Sequence, residues 1–164
     1  MAGPGFHLAQ INIAAFQTPP EDPANAEFFA ALDRVNALAD AAPGFVWRML
    51  GDGTNDATGI RAYPDPRILI NLSVWTGLAE LGAFVYRSGH LEVMRRRHQW
   101  FESLPVYMAL WWVPAGQVPS VEDGKDRLDR LARLGPTAEA FSFRQPFTPD
   151  GRPVAIDQPQ QDPP

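Results

Sequence analysis

Cysteine is absent from this chain. Disulfides, thiolate nucleophiles and cysteine-ligated metal sites are therefore excluded, and the redox state of the compartment is left unconstrained. Positive charge is scarce. Fourteen Lys and Arg stand against 19 Asp and Glu, for a net charge of −5, so a nucleic-acid partner has no electrostatic footprint. The one basic run, Arg95-Arg96-Arg97, reads as a solvated helix face. No apolar stretch approaches the roughly 18 residues of a membrane span. The N-terminus MAGPGFHLAQ lacks the basic start and apolar run of a signal peptide. The expectation is a cytoplasmic protein that engages neither membrane nor nucleic acid. Glycine-rich phosphate loops are missing, no G-x-S-x-G surrounds Ser73, and no two histidines fall four apart on one helix. Phosphate-loop, hydrolase and histidine-metal chemistries all lose their usual motifs.

What is present suits one globular domain: 45% apolar and 20% charged residues. Phe6 to Ala15 alternates as a strand, with Ala9, Ile11 and Ile13 on one face and Leu8, Gln10 and Asn12 on the other. Asp22-Pro23 starts a helix that runs to about Ala42, with Phe28, Leu32, Val35 and Leu38 inward and Pro43-Gly44 as its stop. Phe45 to Leu50 is a second strand, and GDGTNDATG is a loop. The returning strand occupies Ile60 to Tyr63 and then Arg67 to Trp75. Two helices follow, Gly77 to Arg87 and Leu91 to Ser103, and the apolar run Val106 to Val113 is a last strand covered on both faces.

The order strand, helix, strand, strand, helix, strand predicts a ferredoxin-like α+β domain, a four-stranded antiparallel sheet with helices on one face. Its strands carry Trp47, Ile70, Leu72, Val74, Trp111 and Trp112 on both sides. An apolar second face argues for a partner, and two sheets packed face to face would make a homodimer. Ser120-Val-Glu-Asp123 reads as a capping box opening an extra C-terminal helix to about Leu134. Phe141, Phe143 and Phe147 would dock the chain after it. The expected divisions are 1–118 for the sheet domain, 119–147 for the helix and docking segment, and 148–164 for a flexible proline-rich tail.

Candidate chemistry gathers around the third strand and the helices after it. Asn71 and Trp75, four apart on a strand, project to one face. An amide beside an indole could hold a planar phenol or enol and stabilise a developing oxyanion. The plainer alternative makes Asn71 a satisfied strand residue and Trp75 core. His90, Met94, Arg97 and His98 fall at helical spacing. His90 could serve as a general base, and Arg97 could anchor an acidic group. The aromatic set Trp47, Tyr86, Trp100, Tyr107, Trp111 and Trp112 could wall a pocket for a flat apolar ligand, or could be core alone.

The segments HLAQINIA, PGFVWR, LSVWTGLAELGAFVYRSGHLEVMRRRHQWF and LWWVPAG resemble a family of bacterial domains, DUF3291, over about residues 6 to 147. The resemblance implies the dimeric α/β-barrel superfamily, which includes antibiotic-biosynthesis monooxygenases, haem-degrading monooxygenases and small stress-response barrels. Its quinone-forming, cofactor-independent members use an Asn and a Trp at the spacing of Asn71 and Trp75, with a further Asn on the first strand, where Asn12 stands here. Its haem-binding members place a histidine near the position of His90. Three readings follow. The first is a small-molecule enzyme of monooxygenase-like descent, without cofactor, in which Asn12, Asn71, Trp75 and His90 act and Trp47, Tyr86, Arg97, Trp100 and Trp111 hold a flat or phenolic substrate. The second is a haem protein with His90 as axial ligand. The third is a non-catalytic ligand-binding or stress-response barrel.

Overall fold

The computed structural model describes residues 5–87 and 90–155, without the side chains of Arg87 and His90. Strand β1 (Phe6–Ala15) leads to helix α1 (Ala26–Asp40), and β2 (Phe45–Arg48) and β3 (Ile68–Trp75) follow. Next come α2 (Leu78–Arg87), α3 (His90–Arg95), β4 (Met108–Pro114) and α4 (Val121–Leu134). The sheet order is β2-β3-β1-β4 with every pairing antiparallel. This is the ferredoxin-like topology, with the first and third strands at the centre.

Local chemistry accounts for the helix starts. Asp22 accepts a hydrogen bond from the Ala24 N–H at 2.8 Å, and Pro23 opens a 3-10 turn that runs into α1. Ser120 and Asp123 form a reciprocal capping box at α4.

Three stretches differ from expectation. The strand expected from Ile60 is a loop, and β3 begins only at Ile68, where Arg67 bonds Asp65 and Glu102. The helix expected over Leu91 to Ser103 stops at Arg95 and gives way to a 3-10 turn over 97–99. There the Gln17 side-chain amide donates to the carbonyls of His98 and Phe101, and Phe101 bridges to Phe16. Tertiary hydrogen bonds thus replace the helical ladder. Leu38 is exposed, and Ala39 takes the inward place beside Val35. The chain remains hydrogen-bonded beyond 148: Val154 N–H donates to Pro146 and Thr148 N–H to Arg152. The last residues, 156–164, lie outside the description.

Alternation sorts the sheet into two buried faces. Leu8, Gln10, Asn12, Asn71, Ser73, Trp75, Met108 and Leu110 look toward α1, α2 and α3. Ala9, Ile11, Ile70, Leu72, Val74, Ala109 and Trp111 look the other way, toward α4. Gly124 lets α4 approach so closely that a Cβ there would lie 2.7 Å from Ile11 Cδ1 and 3.0 Å from Leu72 Cδ2. The loop between β2 and β3 joins this layer through Ile60 and Ala62. Lys125 on α4 donates to the Ala62 carbonyl at 2.8 Å and sits 4.6 Å from the Tyr63 ring centre. Burial, reinforced by Glu122, pushes the Tyr63 phenol above its ordinary pKa.

The second apolar face is therefore covered by the chain's own α4 and loop. Burial of this face does not call for a partner subunit, because α4 occupies the place a face-to-face dimer would use. The β4 edge is closed as well: Leu110 and Phe141 exchange two backbone hydrogen bonds, and Trp112 Nε1–H donates to the Phe147 carbonyl at 2.7 Å.

The close approach at Gly124 makes a prediction. Gly124→Leu forces α4 away from Ile11 and Leu72. It should lower unfolding stability by about 1–3 kcal/mol, read as a lower urea midpoint.

Candidate functional site

A cavity of about 180 Å³ lies between the helix-facing side of the sheet and the three helices. Its walls are mostly apolar, with Phe28, Leu32 and Val35 from α1, Leu81 and Phe84 from α2, and Val93 and Met94 from α3; Asn36 of α1 is a polar exception. Its floor is polar. Register alone makes that floor, since Gln10 pairs with Ser73 and Asn12 with Asn71 across β1 and β3. Four polar side chains thus stand as two adjacent cross-strand pairs on one face.

These side chains form a directed network. Gln10 Nε2 donates to Asn71 Oδ1 at 2.7 Å and to Ser73 Oγ at 2.9 Å. Trp75 Nε1–H donates to the same Ser73 oxygen at 2.9 Å. Ser73 Oγ therefore accepts twice, which uses both its lone pairs and leaves its hydroxyl hydrogen over. With Asn71 Oδ1 turned to Gln10, the two Asn71 Nδ2 hydrogens are left over too. Neither Asn71 Nδ2 nor the Asn12 amide hydrogen-bonds to any described residue. Gln10 and Ser73 are each only 6% exposed, so their mutual bonds offset the cost of burying them.

The expected site residues divide. Asn12, Asn71, Trp75 and Arg97 line the cavity. Trp75 is buried between Phe84, stacked at 5.1 Å, and Phe45, edge-on at 5.5 Å. Its N–H belongs to Ser73, so Trp75 acts as a wall and not as a donor to a ligand. Arg97 lies 4.3 Å from the Tyr107 ring centre, and both line the cavity. Trp100 packs with Phe16, Phe28 and Phe101 behind the wall, and Tyr86 packs on Phe143; neither lines the cavity.

Trp47 and Trp111 belong to the other face. Trp47 pairs with Val74 and Trp111 with Ala9, both outside the helix-facing set, and Trp111 is covered by Arg127 of α4. The period-2 alternation turns them away from Asn71. The His90 side chain lies outside the described residues. His98 is exposed. No group of three His, Asp or Glu with metal-holding geometry occurs among the described residues.

Two residues escaped the sequence reading as site members. Gln10 stands in the same alternation as Asn12, and Ser73 lies between Asn71 and Trp75 on their own face. The alternation was the signal for both. Arg48 and Asp56 also line the cavity. Arg48 is paired with Asp40 and bonded to Asn55, and Asp56 accepts from Thr58 at 2.6 and 2.9 Å.

A ferredoxin-like α+β domain with a polar-floored cavity between sheet and helices is the class that fold and site define. The chain matches the family model DUF3291, a domain of unknown function, over residues 7–157, and it belongs to that family. No curated protein matches it. Among solved structures it is similar to SnoaB, a cofactor-independent oxygenase from Streptomyces nogalater, at 20% identity and a TM-score of 0.45, over 68% of this chain and 95% of SnoaB. It is likewise similar to NE2512, a protein of unknown function from Nitrosomonas europaea, at 20% identity and a TM-score of 0.43, over 72% of this chain and 99% of that one. At this distance the likeness carries no chemistry across.

The network predicts a measurable cost. Ser73→Ala leaves the buried Gln10 and Trp75 donors without their shared acceptor, and should destabilise by about 1–3 kcal/mol. The exposed Ser103→Ala should stay within about 0.5 kcal/mol. Denaturant titration of the pair checks this.

Proposed function

We propose that the chain is a small-molecule enzyme of monooxygenase-like descent that binds a flat phenol or enol in the cavity between sheet and helices. The observation that carries the reading is the Asn71 amide. Its oxygen is engaged by Gln10, and its N–H donors are left for a ligand beside the unbonded Asn12 amide. Two aromatic pairs, Trp75 with Phe84 and Phe28 with Phe101, are among its lining, which suits a planar ring. In this role Asn71 and Asn12 hold the ligand oxygen and stabilise negative charge as a proton leaves. Trp75 holds the ring plane, and Arg97 adds positive charge at the wall. An activated methylene ionised in this way reacts with O₂ to give a carbonyl and water, a balance that needs no further reductant or cofactor.

The haem reading would use His90, whose side chain lies outside the described residues; a haemin titration read at the Soret band tests it. A non-catalytic ligand-binding domain would use the same cavity, and turnover separates the two. In place of the expected homodimer we infer a monomer closed by α4. It should sediment at 18.1 kDa at micromolar concentration; a stable dimer would overturn this.

The functional test uses 2-naphthol for binding and anthrone for oxygen uptake. Wild type should bind 2-naphthol and consume one O₂ per anthrone converted to anthraquinone. Asn71→Ala should lower the rate by about 10²–10³-fold. Trp75→Phe should raise KM more than it lowers kcat. Binding without uptake would make the protein a binding module, and no binding would remove the site.

A further inference from the structure

We infer that Gln10 is a positioning residue that sets the hydrogen-bond direction of the cavity floor, so that the cavity selects the ionised form of a phenol or enol over its neutral acid. This rests on the ligand-binding reading above and deepens it.

An amide pair can bond in either of two directions. If Gln10 presented its oxygen, Asn71 Nδ2 and the Ser73 hydroxyl would both turn to it, and Asn71 Oδ1 would face the ligand. The structure has the opposite direction. Gln10 gives its amide hydrogens to Asn71 Oδ1 and Ser73 Oγ. Trp75, which can only donate, supplies the second bond to Ser73 Oγ. The consequence is that Asn71 Nδ2 and the Ser73 hydroxyl hydrogen are both released from the network. Gln10 touches no ligand oxygen in this scheme and acts through Asn71.

The remaining polar groups agree in sign. Among charged groups on the cavity wall, Arg48 is paired with Asp40, Asp56 is engaged by Thr58, and Arg97 lies by Tyr107. Two of the three are cationic, and the one carboxylate has Oδ1 held by Thr58. On the floor the acceptors left are Gln10 Oε1 and Asn12 Oδ1; on the walls Asn36 adds an amide with both donor and acceptor, and Asp56 keeps Oδ2. Against them stand the two N–H groups of Asn71, those of Asn12, and the Ser73 hydroxyl. A donor-rich floor under an apolar roof favours an oxyanion, because each charge-assisted hydrogen bond is worth more in a water-poor site.

The test measures the affinity of 4-nitrophenol, whose neutral and ionised forms absorb differently, across a pH series. Wild type should bind the phenolate at least tenfold more tightly than the phenol. Gln10→Met, close in shape and without hydrogen-bonding groups, should fold as wild type does and lose most of that preference. Gln10→Glu, which can only accept when ionised, should reverse it by drawing Asn71 Nδ2 to itself. A thermal melt of each variant checks that it is folded. If wild type prefers the neutral phenol, or if both variants keep the phenolate preference, the inference is overturned while the cavity reading stands. If wild type binds neither form, the cavity reading fails and takes the inference with it.

Discussion

The pairing of β1 with β3 is the constraint on which the rest depends. Its register sets Leu8 opposite Trp75, Gln10 opposite Ser73 and Asn12 opposite Asn71. Side chains alternate with period two, so a slip of one residue would send this polar set to the other face. There it would meet Trp111, Leu128 and Leu131 with no partners. The same slip would drive Ile11 and Leu72 among the helices. Both strands have well-packed residues on both faces, and the register is therefore fixed from two sides.

That constraint also explains how a row of amides survives inside a small domain. Buried polar groups are costly unless bonded. Here one hydroxyl accepts from two donors, and one amide serves two acceptors, which meets the need with few atoms. The arrangement is stabilising where Gln10, Ser73 and Trp75 meet. It is incomplete at Asn71 and Asn12, which line the cavity. At these two residues unmet hydrogen-bonding capacity faces the cavity.

Much of this was legible in the sequence. Strand β1 spans the residues its alternation marks, α4 starts at its capping box, and the element order gave the topology. The placement of Asn71 and Trp75 on one face followed from spacing; Asn12 was marked by the family resemblance, and the register sets it opposite Asn71. What escaped was tertiary. Trp47 and Trp111 are aromatic residues on strands, and composition alone does not say which face they take; only the register does. The end of α3 depends on Gln17, some 80 residues away in the chain, and no local signal announces it. Covering of the second face depends on Gly124, whose role is visible only once Ile11 and Leu72 are beneath it.

Closure by α4 bears on the site as well as on assembly. In a sheet whose second face is shared between subunits, the strands that floor the cavity are held by the partner. Here Ile11 and Leu72, each one residue from a member of the polar floor on either side, are clamped from below by α4 of the same chain. Backbone rigidity at β1 and β3 then comes from intrachain packing, and the amide geometry on the upper face inherits it. A hydrogen-bond direction set at the 2.7 Å contact of Gln10 with Asn71 is held by such a support. The helix that covers the far side of the sheet is in this sense part of what orients the near side.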